Sequence, residues 1–373
     1  MARSSSDIVV VGAGIVGCAI AFELARRGAS VRLVDQRATG MGATRASAGI
    51  LAPHIEAATD ATLLDLTVRS LGLFDDFIAD VVADSGVPVP YRRTGTLQVA
   101  LNEDELGELR HAAARLKAAG VAASLLDAQA ARAEEPHLSE AALGALVVPT
   151  HGFTAAGDLT RALSTAACRR GTRLTEGSAV HRIGPKHGDL VVETDHGSLT
   201  GDAVVLAAGA WSGQIEIVGV PARVPVRPVR GQLLRLAWHG PAVRRVTWHG
   251  RGYLVPWDDG TLLVGATVEE AGFEEGTTVA GVRDLLEAAC ALVPHASMAG
   301  FAGAYVGLRP ASADELPIIG ASRLLPNLMY ATGHYRNGIL LAPLTAELVA
   351  DALLNGRIDP ALAAIGPQRF GDL

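Results

Sequence analysis

The chain has 373 residues, enough for about two domains, and with 49% hydrophobic and 19% charged residues it can bury a large core. Its 32 basic and 39 acidic residues give a net charge of −7 without a basic block, which argues against a nucleic-acid surface and against a polybasic membrane patch. Eleven histidines show no H-x-x-x-H or H-x-x-E-H spacing, so no metal centre is expected. Cys18, Cys168 and Cys290 are scattered and read as small buried hydrophobes of a reducing cytosol. The opening MARSSS is short and polar and does not read as a signal peptide, and no run of about 18 apolar residues reads as a membrane span.

The stretch from Asp7 to Asp35 organises the rest. An apolar run, Ile8 to Val11, ends at Gly12, and Gly12, Gly14 and Gly17 give the spacing G-x-G-x-x-G. Ile15, Cys18, Ala19, Phe22 and Ala25 then recur at helical spacing, Gly28 stops the helix, and Val31 to Val34 form a second apolar run ending at Asp35. A dinucleotide pyrophosphate is held by backbone N–H groups at a helix N-terminus, which requires a tight turn without side chains and close helix–strand packing. The terminal acid, Asp35, suits an adenosine ribose and disfavours a 2′-phosphate.

From Thr39 to Pro53 the chain is rich in glycine and alanine. Its backbone could lie against a flat cofactor, with Thr44, Arg45 and Ser47 as donors, or the loop could simply pack on the sheet. Helices are expected over Thr62 to Val82 and over the charge-laced Glu103 to Gly120, with an alternating strand from Tyr91 to Leu101 between them. Asp158 is placed to cap a helix running to Arg169, followed by a strand from Arg173 to Ile183 that returns beside the first strand. Asp202 to Ser212 is an apolar strand running into Gly209: a second strand end at a cofactor, or a buried strand with a plain turn. Between Arg223 and Thr267 short alternating runs separated by Gly, Pro and Asp predict an antiparallel sheet, and Thr278 to Val293 predicts a helix with Val279 on its apolar face. The chain closes with a helix through Leu354 that carries Pro343 in its first turn.

Four later segments follow the fingerprint in order: TRASAGILAP at Thr44 to Pro53, VVLAAGAWS at Val204 to Ser212, GLRPASADELPIIG at Gly307 to Gly320, and ATGHYRNGILLAP at Ala331 to Pro343. Together they resemble the D-amino-acid oxidase family of FAD enzymes, most closely its glycine oxidase branch of thiamine biosynthesis. The resemblance implies non-covalent FAD and an α/β, Rossmann-like FAD-binding domain with a doubly wound parallel sheet, made of residues 1–85, 150–220 and 300–373. An inserted α+β substrate domain with an antiparallel sheet takes 86–149 and 221–299. It places Gly12, Gly14, Gly17 and Asp35 at the pyrophosphate and adenosine, and Val180 at the adenine through its backbone. Thr44, Arg45 and Ser47 fall along the flavin, and Ala208 and Gly209 approach from the second strand end. Gly333, Arg336, Asn337, Gly338 and Ile339 fall beside the pyrimidine ring, where a helix N-terminus favours negative charge.

For the substrate the same resemblance brings forward Arg309, Tyr253 and Arg336. An Arg fork fixes a carboxylate and a Tyr hydroxyl adds a donor without charge. Arg309 could instead pair with Asp314 or Glu315, Tyr253 could be plain strand packing, and Arg336 could be a structural donor. Related sarcosine oxidases carry a flavin-bonded cysteine where this chain has Gly307, and a lysine over the flavin that neither Lys117 nor Lys186 can supply. The expected activity is oxidative deamination of a small amino acid, glycine first, by FAD and molecular oxygen, in the cytoplasm and with a tetramer implied by resemblance. The alternatives are a D-amino-acid dehydrogenase passing electrons to quinone, an oxidase of sarcosine or small D-amino acids, and a flavoprotein that only binds a partner.

Overall fold

Valine- and isoleucine-rich runs build a six-stranded sheet in the order Ile318–Ala321, Leu328–Thr332, Ala203–Leu206, Asp7–Val11, Ser30–Val34, Arg173–Thr175. It is parallel except for the first of these, which runs antiparallel to its neighbour. The structure is a computed structural model that describes residues 7–240 and 243–373; the polar leader Met1 to Ser6 lies outside the described residues.

Both faces of this sheet are buried, which is why its strands read as continuous apolar runs. Ile8, Val10, Val31, Leu33 and Val205 point into a core shared with the helices Ile15–Arg26, Ala61–Ser85, Ala156–Arg169 and Gly338–Asn355. Val9, Val11, Val34, Val204 and Leu206 point the other way, onto Ile183, Leu190 and Val192. Those residues belong to a four-stranded sheet in the order Gly197–Gly201, Asp189–Thr194, Val180–Lys186, Glu216–Ile217. The layers are thus helices, parallel sheet, small sheet. Gly338–Asn355 has a mean hydropathy of 1.4 and is long and apolar enough to cross a membrane, but 61% of it is buried in the fold, so core packing accounts for its composition.

The insertion is an eight-stranded sheet ordered Gly300–Ser312, Val226–Ala237, Thr261–Gly265, Gly252–Pro256, Val246–His249, Thr96–Ala100, Gly144–Val148, Ser124–Asp127. It is antiparallel apart from the pairing of Val246–His249 with Thr96–Ala100. The strand Gly300–Ser312, grouped by sequence with the cofactor segments, is hydrogen-bonded along its length to Val226–Ala237. It therefore joins the two sheets' territories.

Several local expectations change. The run from Arg173 splits at Gly177, whose φ is +72°, into Arg173–Thr175 beside Ser30–Val34 and Val180–Lys186 in the small sheet. The strand expected from Tyr91 breaks at Gly95, φ +80°, into Tyr91–Arg92 and Thr96–Ala100. Asp158 lies inside the first turn of its helix, bonded to Arg161, and the cap position is Ala155. Val279 is 88% exposed; Leu285, Ala288, Ala289 and Leu292 face the core, because Thr278 caps the helix and sets that phase. Pro343 stands in the second turn, since the helix begins at Gly338. Cys18 is buried, as expected, but Cys168 is exposed and Cys290 half-buried.

One buried polar link ties the insertion to the cofactor region. His151 is fully buried, with Nδ1 2.8 Å from Thr96 Oγ1 and Nε2 2.9 Å from His54 Nδ1. Burial, helped by His54 and Arg93, pushes its pKa down to about 3, and burial pushes His334 down to about 4. Both are neutral in the folded chain and take up protons on unfolding, so their stabilisation is complete above the unfolded histidine pKa and is lost as pH falls from there toward 3 to 4. Denaturant unfolding should show a loss of roughly 1 kcal/mol for each of the two between pH 7 and pH 5.5. In His151→Gln that slope should be shallower; an unchanged slope would remove His151 as a source.

Candidate active site

The carboxyl ends of the parallel strands form the floor of the site. Gly12 has φ +105°, and a Cβ there would overlap the Ala207 carbonyl; a Cβ on Gly17 would overlap the Gly12 carbonyl. The protein's own packing therefore requires both glycines. Gly14 differs. Its φ of −74° suits any residue, and a Cβ would meet nothing closer than Thr44 Oγ1 at 3.6 Å. Gly14 lines a cleft of about 590 Å³, and it leaves a backbone-lined cradle that a side chain would fill.

Asp35 lines the same cleft, accepting the N–H of Ala13 at 2.6 Å and of Arg37 at 2.7 Å. Burial raises its pKa, opposed by those two N–H donors. A carboxylate offers about four acceptor sites, so it retains capacity for ribose hydroxyls. Val180, Ala208 and Gly209 also line the cleft, Gly209 with φ +54° where the strand turns into the 3₁₀ helix Gly209–Gln214.

The small-residue loop does lie along the cleft, which decides that open choice. Thr44 and Ser47 line it; the Thr44 hydroxyl accepts the Ile15 N–H at 3.2 Å and keeps its own proton to donate. Arg45 does not reach it. In the 3₁₀ helix Ala43–Ala46 the residue next to Thr44 turns away, and Arg45 is exposed. Gly17, Gly333 and Asn337 also lie off the lining. Gly333 makes a turn with φ +73°, and Asn337 is a buried residue at the N-cap of Gly338–Asn355 whose side chain does not cap it and whose Oδ1 has no hydrogen-bond partner among the described residues. Gly338 and Ile339, at that helix's N-terminus, line the cleft and bring the positive end of its dipole there.

At the other end Tyr253, from Gly252–Pro256, and Arg309, from Gly300–Ser312, meet Arg336. Arg309 lies across Gly231, where a Cβ would overlap its guanidinium, and donates through Nη1 to the Thr267 carbonyl at 2.9 Å. Burial holds its pKa below the usual arginine value. Among the described residues no carboxylate lies within ion-pair distance of Arg309. Asp314 instead pairs with Arg369 at 2.7 Å. Burial pushes the Tyr253 hydroxyl up to about 12, so it stays a neutral donor; its ring packs on Trp248, centroids 5.1 Å apart.

Sequence reasoning missed Glu56, Arg37, Trp211 and Trp248, all on the lining. Glu56 ends the short helix Pro53–Glu56 directly after the small-residue loop, and Arg336 Nε is 2.9 Å from its Oε2. Its position just beyond TRASAGILAP was the available signal. Arg37 stacks 4.5 Å over Trp211 and pairs with Glu275, a contact 238 residues away that no local pattern announces. Lys117 and Lys186 are exposed, and neither a lysine nor a cysteine lines the cleft among the described residues.

The sequence matches the family of FAD-dependent oxidoreductases over residues 7–352. The chain belongs to that family. It is 33% identical to the glycine oxidase of Geobacillus kaustophilus, over 92% of each chain. It is 34% identical to the bifunctional protein ThiO/ThiG of Synechocystis, covering 99% of this chain but spanning only 54% of that protein. The crystal structure of the Geobacillus glycine oxidase superposes with a TM-score of 0.92 at 32% identity, covering 98% of this chain and 99% of the other. An iminodiacetate oxidase from Chelativorans superposes at 0.88 with 26% identity, covering 96% and 98%.

The residues present fit FAD: a glycine cradle, an acid at the second strand end, and a helix N-terminus opening on one cleft. The cofactor is held non-covalently. Gly307 is on the lining, where a Cβ would come within 2.9 Å of Ala46 Cβ, so the position has no room for a thiol tether. These roles predict different outcomes for neighbouring glycines. Gly14→Val should fold with a melting temperature near that of the cofactor-free parent while FAD affinity falls by about 100-fold or more, read by fluorescence titration. Gly17→Val should fail to give folded protein, because its Cβ meets backbone. A Gly14→Val protein that binds FAD normally would remove the cofactor from the cradle.

Proposed function

We propose that this family member oxidatively deaminates a small amino acid, glycine first, according to glycine + O₂ + H₂O → glyoxylate + NH₃ + H₂O₂. The observation that carries the reading is Arg309, a guanidinium enclosed in the cleft with only carbonyl hydrogen-bond partners among the described residues. An enclosed cation without an anion is costly, and a substrate carboxylate is the partner that would relieve it. Similarity to glycine oxidases over nearly the whole chain supports the same substrate class.

Each side chain has a defined task in this reading. Arg309 grips the substrate carboxylate, and Tyr253 donates a further hydrogen bond as a neutral phenol. Trp248 and the Tyr253 ring wall the cleft beside them and limit the side chain that fits. Bound FAD supplies the two-electron acceptor for the Cα–H bond and the route of those electrons to oxygen. Gly338–Asn355 presents its N-terminus, whose dipole favours negative charge in the cleft. His334 lines the cleft but is bonded to Thr345 at 3.0 Å and held neutral, so it is not assigned as a base. Positioning, not proton abstraction by a side chain, carries the rate.

The division into a cofactor domain and a substrate domain belongs to this proposal, with Gly300–Ser312 as the seam. So do a cytoplasmic location, a homo-oligomeric assembly and a part in thiamine biosynthesis, which the family resemblance supports. The decisive test is an amino-acid panel scored for peroxide release, with anaerobic bleaching of the bound flavin by glycine. Absence of bleaching by any amino acid would end the reading. Arg309→Ala should raise KM for glycine by roughly 100-fold or more, the loss of a charge-assisted bidentate contact, with the flavin spectrum unchanged. A near-normal KM would take Arg309 out of the site.

A further inference from the structure

Two arginines and one acid share the substrate end of the cleft; Arg251, also on the lining, is paired outside it with Glu287 at 3.4 Å. Arg309 and Arg336 both line it, and so does Glu56, whose side chain is only 11% exposed. Glu56 bonds to Arg336 and acts on Arg309 from a longer distance. The pair cancels, and the site keeps one net positive charge, carried by Arg309. One charge matches one carboxylate.

The mounting of Glu56 is stiff. Pro53 opens its single-turn helix, and the N–H groups of Glu56 and Ala57 close onto the carbonyls of Ala52 and Pro53 at 3.0 Å. The preceding His54 is tied to buried His151, itself tied to Thr96. A second anionic group on a substrate would have to displace Glu56 from Arg336 and leave that carboxylate enclosed and unpaired, a heavy penalty.

We propose that Glu56 determines specificity: by occupying Arg336 it restricts the cleft to amines with one carboxylate and rejects those with a second acidic group on the amine substituent. This rests on the oxidase reading above and deepens it. With Glu56 neutral, Arg336 becomes a second anion site, and an N-carboxymethyl amine such as iminodiacetate becomes a substrate. The chemistry at the oxidised carbon stays the same two-electron step: iminodiacetate + O₂ + H₂O → glyoxylate + glycine + H₂O₂, with oxygen reduced and one C–N bond broken on hydrolysis.

The test uses the FAD-bound full chain, with kcat/KM for glycine and for iminodiacetate measured by peroxide release. In Glu56→Gln the ratio of iminodiacetate to glycine should rise at least about tenfold, one charge-assisted contact's worth of discrimination. Adding Arg336→Met should abolish the gain, because the second cation is then gone. A ratio unchanged in Glu56→Gln, or both substrates weakened alike, would overturn the proposal; the latter outcome would mean that Glu56 holds the substrate amine. If Glu56→Gln does not retain FAD, Arg336→Met alone decides: the uncancelled acid should raise KM for iminodiacetate about tenfold more than for glycine, and equal rises would overturn the idea. Failure of the parent to be bleached by glycine would instead strike the oxidase reading itself.

Discussion

The site depends on one close approach of backbone to backbone. The Gly12 turn lies against the Ala207 carbonyl on one side and under the first turn of the helix at Gly17 on the other. Around it the strand ends are laced together: Gly12 N–H to the Val34 carbonyl at 2.8 Å, Ala207 N–H to Val11 at 2.8 Å, and Asp35 N–H to Thr175 at 3.0 Å. These bonds level the strand ends into a floor. Only such a floor leaves Gly14 free of internal demands, so that its missing side chain becomes space for a ligand.

Backbone contacts help to fasten the substrate end to that floor. Tyr335 donates its N–H to the Pro310 carbonyl at 2.9 Å, and His334 bridges to Ala311, so the turn before the last helix is joined to the strand that carries Arg309. The Thr267 carbonyl that receives Arg309 is itself fixed, because the Thr267 hydroxyl accepts the Gln232 N–H at 2.8 Å and donates to Glu269. Gly231 allows the guanidinium to lie flat across the strand. The fork is oriented by the protein's own contacts, and preorganisation of this kind lowers the cost of aligning the carboxylate proposed for it.

What could be read in the sequence was what is local. The Gly12 to Asp35 unit obeys short-range rules of period, cap and turn, and the structure shows its two strands and helix within a residue of the expected bounds. Arg309 was brought forward by the family resemblance, and the structure shows it on the cleft lining with carbonyl partners. Arg45 was misplaced because adjacent residues of a 3₁₀ turn face different ways, and the sequence does not state which one turns inward. Glu56 and Arg37 were illegible for another reason. Their meaning comes from Arg336 and Glu275, brought near only when the two sheets meet.

That meeting also explains why Arg309 is available. Among the described residues three acids of this region are engaged elsewhere, Asp314 with Arg369, Glu269 with Arg230, and Glu56 with Arg336, and none of them forms an ion pair with Arg309. Each of those pairings uses a guanidinium, and a chain with two lysines has these planar donors in supply. An ammonium could neither lie flat over Gly231 nor stack on Trp211 as Arg37 does. The open valence at this end of the cleft is therefore not a property of Arg309 alone. It is produced by the saturation of its neighbours, and a change at any of these acids or their partners alters the charge in the cleft without touching Arg309 itself.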